Sequence, residues 1–315
     1  MRTSLKPAPF RRPSTRAKTI EICFYVFIGY IFSLHYSLGQ SSFVDVSSTK
    51  SGKSEGGNVE NGKSESIFRP VYVYSNHNIA DQEADPFRLA GTMYAYSQVK
   101  QDQIILALTK ANDEKSNKVN SQKFFVDLAA NDPIKWSNSI YLEKNGWDGV
   151  CIEGNPQYWY DHGRYRRCSI VGAFVGGPPE EDGQQVDIAL GGIYGGIVAE
   201  GMDNDPESTG STVKRELVSI LTVFHEMNVP SVIDYFSLDV EGAESLVMAN
   251  FPWDNFKFLF MTVERPKPDL KAAFEAHGYY MVKELVDWGE TLWAHKDSVD
   301  LTQEEMLEII AQLQN

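Results

Sequence analysis

Lys123-Phe-Phe-Val-Asp-Leu-Ala-Ala-Asn-Asp132, followed one helix length later by Gly149-Val-Cys-Ile-Glu-Gly-Asn-Pro156, reads as two buried strands that each end in a carboxylate. In an open parallel sheet the ligand crevice lies beyond the carboxyl ends of the strands. Asp127 and Glu153 are therefore expected to project from neighbouring strand tips into one pocket, a setting that suits a ribose and a cation. One acidic strand end is ordinarily a cap or a partner for a surface lysine; two at this spacing favour a ligand.

The turn after the first strand narrows the ligand. A dinucleotide site calls for G-x-G-x-x-G there, because glycine lets backbone amides approach a pyrophosphate at the helix start. This chain instead has Ala129, Ala130, Asn131, Asp132 and Pro133. Asp132 repels a phosphate and Pro133 offers no amide hydrogen, so NAD and ATP are disfavoured. S-adenosylmethionine has no phosphate and carries a sulfonium. The expectation is that Asp127 faces its amino acid end and that Glu153 accepts hydrogen bonds from its ribose hydroxyls. Ala129, Asn131, Asp132 and Asn155 complete the expected cofactor-binding set, with capping by Asn131 as the simpler alternative.

Working outward, strands at 124–128, 149–153 and 169–175 alternate with helices at 137–145 and 157–164. Alternation of this kind predicts a parallel sheet with helices on both faces. Residues 186–198 break it and read as a hairpin around a glycine-rich turn. An acidic loop at 199–211, a surface loop or a lid, precedes a helix at 213–227. Strand 234–240, helix 243–250, strand 258–264, helix 268–277 and two strands near 280–285 and 291–295 follow. Helical signals over 85–111 precede the first strand, and Thr302-Gln-Glu-Glu305 reads as a capping box opening an amphipathic C-terminal helix, 298–315.

The net charge is −14, yet the first eighteen residues hold six basic residues and no acid, leaving −20 for the remainder. A folded part so acidic lacks the basic surface that phosphate contacts need, which excludes a nucleic-acid partner. Ile22 to Leu38 is a 17-residue run without formal charge behind that basic flank. It spans about 25 Å as a helix, enough for a thin early-secretory bilayer. Residues 1–21 are expected to form a basic cytosolic tail, 22–38 a transmembrane signal-anchor, and 39–66 a Ser/Gly/Lys/Glu-rich disordered stem. The folded part, 67–297, then faces the lumen. A signal peptide cut before Gln40 is the competing reading. Cys151 and Cys168 are expected as core thiols, although flanking strands would bring them near enough to bridge in an oxidising lumen.

The chain resembles the FkbM family of S-adenosylmethionine-dependent methyltransferases over about Ser97 to His295. The resemblance rests on an ordered set: Ser97-Gln, Gln101-Asp, Phe124 to Asp132, Ser137-Asn-Ser139, Leu142-Glu-Lys-Asn-Gly-Trp147, Cys151 to Pro156, Ile193 to Val198, Ile233 to Glu244 and Thr262-Val-Glu264. It implies a Rossmann-like, doubly wound, mostly parallel seven-stranded sheet and O-methyl transfer to sugars or natural-product hydroxyls. The common family form has glycine where Ala129 and Pro133 stand, and more usually proline at Gly154. Some membrane-anchored relatives resemble animal Star-type proteins, linked to secretory trafficking, so a non-catalytic binding or trafficking protein is the alternative function.

Methyl transfer to oxygen needs an aligned acceptor and a proton acceptor. Ser237-Leu-Asp-Val-Glu-Gly-Ala-Glu244 puts Asp239, Glu241 and Glu244 beside the crevice as the expected catalytic set, with capping of the next helix as the alternative for Asp239 and Glu244. Glu264 is a further acceptor-side residue, or a salt-bridge partner of Arg265. No metal is expected: the histidines show no ligand spacing, and three acids over six residues have no evident distant partners.

Overall fold

The structure is a computed structural model; it describes residues 71–73, 96–118, 121–207 and 209–314, within the compact unit Glu65–Asn315. The expected tail, anchor and stem lie outside the described residues, as does the first part of the 85–111 helical signal. No helix among the described residues is long and apolar enough to cross a membrane.

Twelve strands are present among the described residues: β1 Val71–Val73, β2 Phe124–Leu128, β3 Asp148–Ile152, β4 Ser169–Gly172, β5 Phe174–Val175, β6 Gln185–Ala189, β7 Gly196–Ile197, β8 Thr212–Val218, β9 Val232–Leu238, β10 Lys257–Glu264, β11 Tyr279–Glu284 and β12 Glu290–His295. Seven α-helices accompany them among the described residues: α1 Gln101–Ser116, α2 Ile140–Lys144, α3 Trp159–Tyr165, α4 Ile220–Glu226, α5 Glu244–Val247, α6 Pro268–Ala276 and α7 Gln303–Gln314. The main sheet runs β1-β4-β3-β2-β9-β10-β12-β11. β4, β3, β2, β9 and β10 are mutually parallel, and β12 inserts antiparallel between β10 and β11. These correspond to the seven expected strands, except that the expected run 169–175 ends in this sheet at Gly172 and Phe174–Val175 leaves it as β5 to pair with β8; β1 adds an antiparallel edge on β4.

The central strands are apolar on both faces, so helices must cover both. On one face Phe125, Ile170, Tyr235 and Phe260 pack with Ile104 and Leu108 of α1, Leu142 of α2, and Met306 and Ile310 of α7. On the other, Val126, Phe236 and Phe258 pack with Phe224 of α4, Val247 of α5 and Phe274 of α6. The capping box closes as a reciprocal pair, Glu305 N–H to Thr302 Oγ1 at 3.2 Å and Thr302 N–H to Glu305 Oε2 at 2.7 Å.

Strand order reverses at β2 and β9, the place where a crevice opens beyond the strand ends. Register fixes what stands there. Asp127 pairs across with Cys151 and with Ser237, so Glu153, Asp239 and the last residue of β10, Glu264, all reach the same edge.

A small second sheet, β5-β8-β6-β7, sits above that edge on its own core of Ile188, Ile197, Leu217 and Ala243. It contains the expected hairpin, β6 and β7. It also corrects the expected helix at 213–227. Residues 212–218 form β8, because Thr212, Val213 and Val218 are β-branched and β6 offers an antiparallel partner. The helix starts only at Ile220, where the Ser219 hydroxyl accepts the Thr222 amide at 3.0 Å.

The expectation of two free core thiols is likewise corrected. Cys151 and Cys168 form a disulfide, because β3 and β4 are neighbours and Cys168 immediately precedes β4. The bond closes a 17-residue separation that carries Glu153 and Asn155. Loop-closure entropy for that length is about 3 kcal/mol. Reductant is expected to lower the urea midpoint of the chain by about that free energy. An unchanged midpoint, with both thiols shown to be free, would contradict the stabilising role.

Candidate active site

A cleft of about 790 Å³ opens at the switch point, lined on one side by Asp127, Ala129, Asn131, Glu153 and Asn155 and on the other by Asp203, Asp239, Glu241, Glu264 and Arg265. The first side is built on one buried cation. The Arg166 side chain, fully enclosed, binds Glu143 Oε1 at 2.7 Å. Its remaining donors reach Ser139 Oγ at 2.8 Å, Ser137 Oγ at 3.2 Å and the Pro133 carbonyl at 3.3 Å. Ser139 in turn donates to Asp127, and Ser137 accepts the Ile140 amide at the start of α2. The loop after β2 is thus held by Arg166 where other nucleotide folds use glycine turns and a phosphate.

That loop is strained. Among the described residues nine that are not glycine have positive φ; Ala129 at 62°, Asn131 at 51°, Trp136 at 62°, Glu241 at 55° and Arg265 at 41° all line this cleft. Left-handed backbone outside glycine concentrates where surrounding bonds over-determine a site. Here the bonds are visible. The Ala130 amide donates to Ile152 O at 3.1 Å, the Asn131 amide to Glu153 Oε2 at 2.7 Å, and His162 Nε2 donates to Asn131 O at 2.7 Å. Burial, reinforced by Arg166, lowers the His162 pKa to about 3, so its ring is neutral.

Glu153 is nearly enclosed. Its second oxygen accepts the Asn155 amide at 2.6 Å, and burial pushes its pKa up to about 7 despite both amides. Each oxygen keeps a lone pair for a ligand hydroxyl. Asn155 accepts from Gln157 N–H, while its buried Nδ2 has no partner. Asp127 is raised by burial against the pull of Arg166 and Ser139. Asp132 lies off the cleft, since its carboxylate accepts the Ile134 and Lys135 amides at 2.9 and 2.7 Å. Gly154, where proline is commoner in the family form, has the Phe174 ring at 2.5 Å from any added Cβ, so a ring fills the space that a larger residue would take.

On the acceptor side the acids crowd together. Burial, then the Glu264 charge, hold Asp239 well above the usual carboxylate range, and the same two causes raise Glu241 to about 7. Oxygens of Asp203, Glu241 and Glu264 lie within 4.8 Å of one another, a geometry open to a cation. Arg265 supplies one: its Nη2 is 2.5 Å from Asp203, 2.7 Å from Glu264 and 3.4 Å from Glu241. Glu244 lies off the cleft and accepts the Val240 and Gly242 amides at 3.1 and 3.2 Å, the capping alternative. The second grouping of potential ligands among the described residues, Cys151, His162 and Cys168, has its sulfurs spent on the disulfide.

The expected cofactor residues Asp127, Ala129, Asn131, Glu153 and Asn155 are brought together, as are Asp239 and Glu241. Several participants carried no readable signal. Arg166, His162 and Glu290 sit at helix ends and strand starts where a polar residue is ordinary. Glu290 pairs in register with Glu264, and burial raises it to about 7. Asp203 comes from the acidic loop, tied to the site by its amide on Glu241 O at 3.2 Å and by Lys267 on Gly201 O at 2.8 Å. A Cβ on Gly242 would meet the Asp203 amide at 2.9 Å, so only glycine allows this approach.

Fold and cleft define a Rossmann-like α/β protein with a nucleoside-sized crevice and no phosphate cradle. The family model described as Methyltransferase FkbM domain matches residues 127–289, more than half of the chain, and the chain belongs to that family. The match begins at Asp127 and spans every acid that lines the cleft among the described residues. No curated protein matches the chain.

Two substitutions probe the construction. Arg166→Met leaves Glu143 buried without its partner, and a loss of about 3–5 kcal/mol in urea unfolding is expected; a loss under 1 kcal/mol would show that the loop does not hang on this cation. Ala129→Gly relieves left-handed strain and is expected to raise stability by about 0.5 kcal/mol after the cost of a looser unfolded chain. A destabilised Gly variant would mean that the turn is not left-handed there.

Proposed function

We propose that the chain is an S-adenosylmethionine-dependent O-methyltransferase acting on a glycan or other hydroxylated small molecule in the secretory pathway. The observation that carries this reading is Glu153, set at the tip of β3 in a cleft shared with Asp127 and walled by a loop with no place for a phosphate. The residues fit the cofactor. Glu153 offers carboxylate acceptors for a ribose diol, the buried Asn155 Nδ2 lacks a partner that a nucleoside acceptor atom would provide, and the surplus of acids suits a cation.

When bound, S-adenosylmethionine supplies an electrophilic methyl group on a sulfonium. Glu153 and Asn155 would hold its nucleoside, and Asp127 with the Asn131 turn its amino acid end. Asp239, Glu241 and Glu264 border the remaining space, where an acceptor hydroxyl must lie. Glu241, near pH 7 in its titration, is matched to take the proton that the hydroxyl loses. Asp239, pushed upward by burial and by the Glu264 charge, borders the acceptor hydroxyl from the same side.

The compartment reading is supported by the basic flank and uncharged run of residues 22–38, and by the Cys151–Cys168 disulfide, a bond that persists in oxidising compartments. The anchor at 22–38, the stem at 39–66 and the catalytic unit at 67–297 belong to the same proposal. A fold that binds without turnover is the second reading, favoured by Ala129 standing in a left-handed position.

Calorimetric titration of the full chain tests the proposal. Micromolar binding of S-adenosylmethionine is expected, and Glu153→Gln is expected to weaken it at least about tenfold while circular dichroism stays native. Affinity is also expected to fall as pH drops from 8 to 6, because the raised Glu153 loses its charge through about 7. A folded chain that binds no cofactor would falsify the enzyme reading; binding with no turnover on any acceptor selects the second.

A further inference from the structure

The surface carries large apolar side chains in an uneven way. Eight are exposed among the described residues, and four of them rim the one cleft just described: Trp136 (38%), Leu190 (37%), Tyr194 (68%) and Trp288 (41%). The other four are scattered: Tyr160 on α3, Val232 at the start of β9, Met281 on the edge strand β11 and Leu307 on α7. The rim group does not come from one apolar segment. Trp136 follows β2, Leu190 and Tyr194 stand on the β6–β7 hairpin, and Trp288 sits in the β11–β12 turn. Separate loops have delivered flat apolar groups to a single mouth, each at the cost of leaving them wet. Tyr194 stands in a turn kept tight by Gly195, where a Cβ would meet Ala189 O at 2.9 Å.

Below this rim the charge is one-sided. Asp203, Asp239, Glu241 and Glu264 line the acceptor side, with Arg265 as the only basic lining residue among the described residues, and its Nη2 is already engaged by three of them. An acceptor bearing phosphate, sulfate or carboxylate would bring another negative charge against these groups, where Arg265 is already engaged. Hydroxyls, in contrast, can donate to the carboxylates.

We propose that the rim formed by Trp136, Tyr194 and Trp288 is the acceptor-specificity surface, and that it selects an uncharged polyhydroxylated ring, stacked by its C–H face on these aromatics, over the anionic form of the same ring. This rests on the methyltransferase reading and deepens it: the aromatics hold the acceptor, and the acids below both sort it by charge and receive its hydroxyls. Stacking of this kind contributes by area and by the ring quadrupole. Trp136 carries Lys135 Nζ at 4.0 Å from its ring centroid, which fixes that indole's face and leaves Tyr194 the freest platform.

The test uses the full chain saturated with S-adenosylhomocysteine, titrated with para-nitrophenyl hexopyranosides and with their 6-sulfated counterparts. Binding is followed by calorimetry, and the affinity for S-adenosylhomocysteine is measured separately for every variant. The neutral glycosides are expected to bind with millimolar affinity or better, and the sulfated ones at least about tenfold more weakly. Tyr194→Ala and Trp288→Ala are each expected to weaken the neutral probe about tenfold with the cofactor-product affinity unchanged. Asp203→Asn is expected to narrow the gap between neutral and sulfated probes. Equal or tighter binding of the sulfated probes, no binding of any neutral probe by a chain that holds S-adenosylhomocysteine, or alanine variants that keep wild-type affinity would each overturn the proposal. A chain that binds no S-adenosylhomocysteine fails earlier, at the enzyme reading itself.

Discussion

The guanidinium of Arg166, enclosed beside Glu143, holds the part of the fold on which the cleft depends. Burying a charge is costly unless its partner and its remaining donors are satisfied, and here the donors are spent on Ser137, Ser139 and Pro133 of the loop after β2. Through Ser139 the same network reaches Asp127, and the loop it holds carries Ala129 and Asn131 into left-handed backbone. The Asn131 amide then lies against Glu153. One buried cation so fixes both carboxylates of that side of the cleft, Asp127 and Glu153. The disulfide performs a parallel task for the segment between β3 and β4, closing the loop that bears Glu153 and Asn155.

Charge organises the rest. The cleft has acids on both sides and, among the described residues, Arg265 as its sole basic lining residue, and burial drives Glu153, Glu241 and Glu290 toward about 7 and Asp239 well above the ordinary range. Such crowding is unfavourable in the empty protein and is relieved by a cationic ligand, which lowers every one of these pKa values together. Carboxylates poised near neutrality are also the groups able to take a proton at cellular pH.

The parallel sheet was legible because its strands are continuous apolar runs with helix-length spacing, and because the tip residues Asp127, Glu153 and Asp239 follow those runs directly. The site acids of the strand ends were therefore readable, whereas their supports were not. Arg166 and His162 lie on or beside α3, and nothing local tells a buried, multiply bonded arginine from a solvated one. Asp132 and Glu244 read as site acids from position alone, but their carboxylates cap backbone amides two to four residues away. The misread of 213–218 has a plain cause: Leu217, Ile220, Val223 and Phe224 repeat at three to four residues and continue the helical period backwards into a strand whose partner, β6, is about thirty residues distant in sequence. Pairing of Cys151 with Cys168 depended in the same way on β3 and β4 being neighbours, a tertiary fact.

By the proposed reading, Asp127 and Glu153 hold the two ends of one nucleoside-bearing cofactor from the same side of a cleft with no phosphate cradle. A crystal structure of the chain grown with S-adenosylhomocysteine tests it most directly. The account predicts ribose hydroxyls on the Glu153 carboxylate and the amino acid end against Asp127 and the Asn131 turn. Ligand density seated elsewhere, or a well-ordered cleft that stays filled with water at saturating ligand, would contradict it.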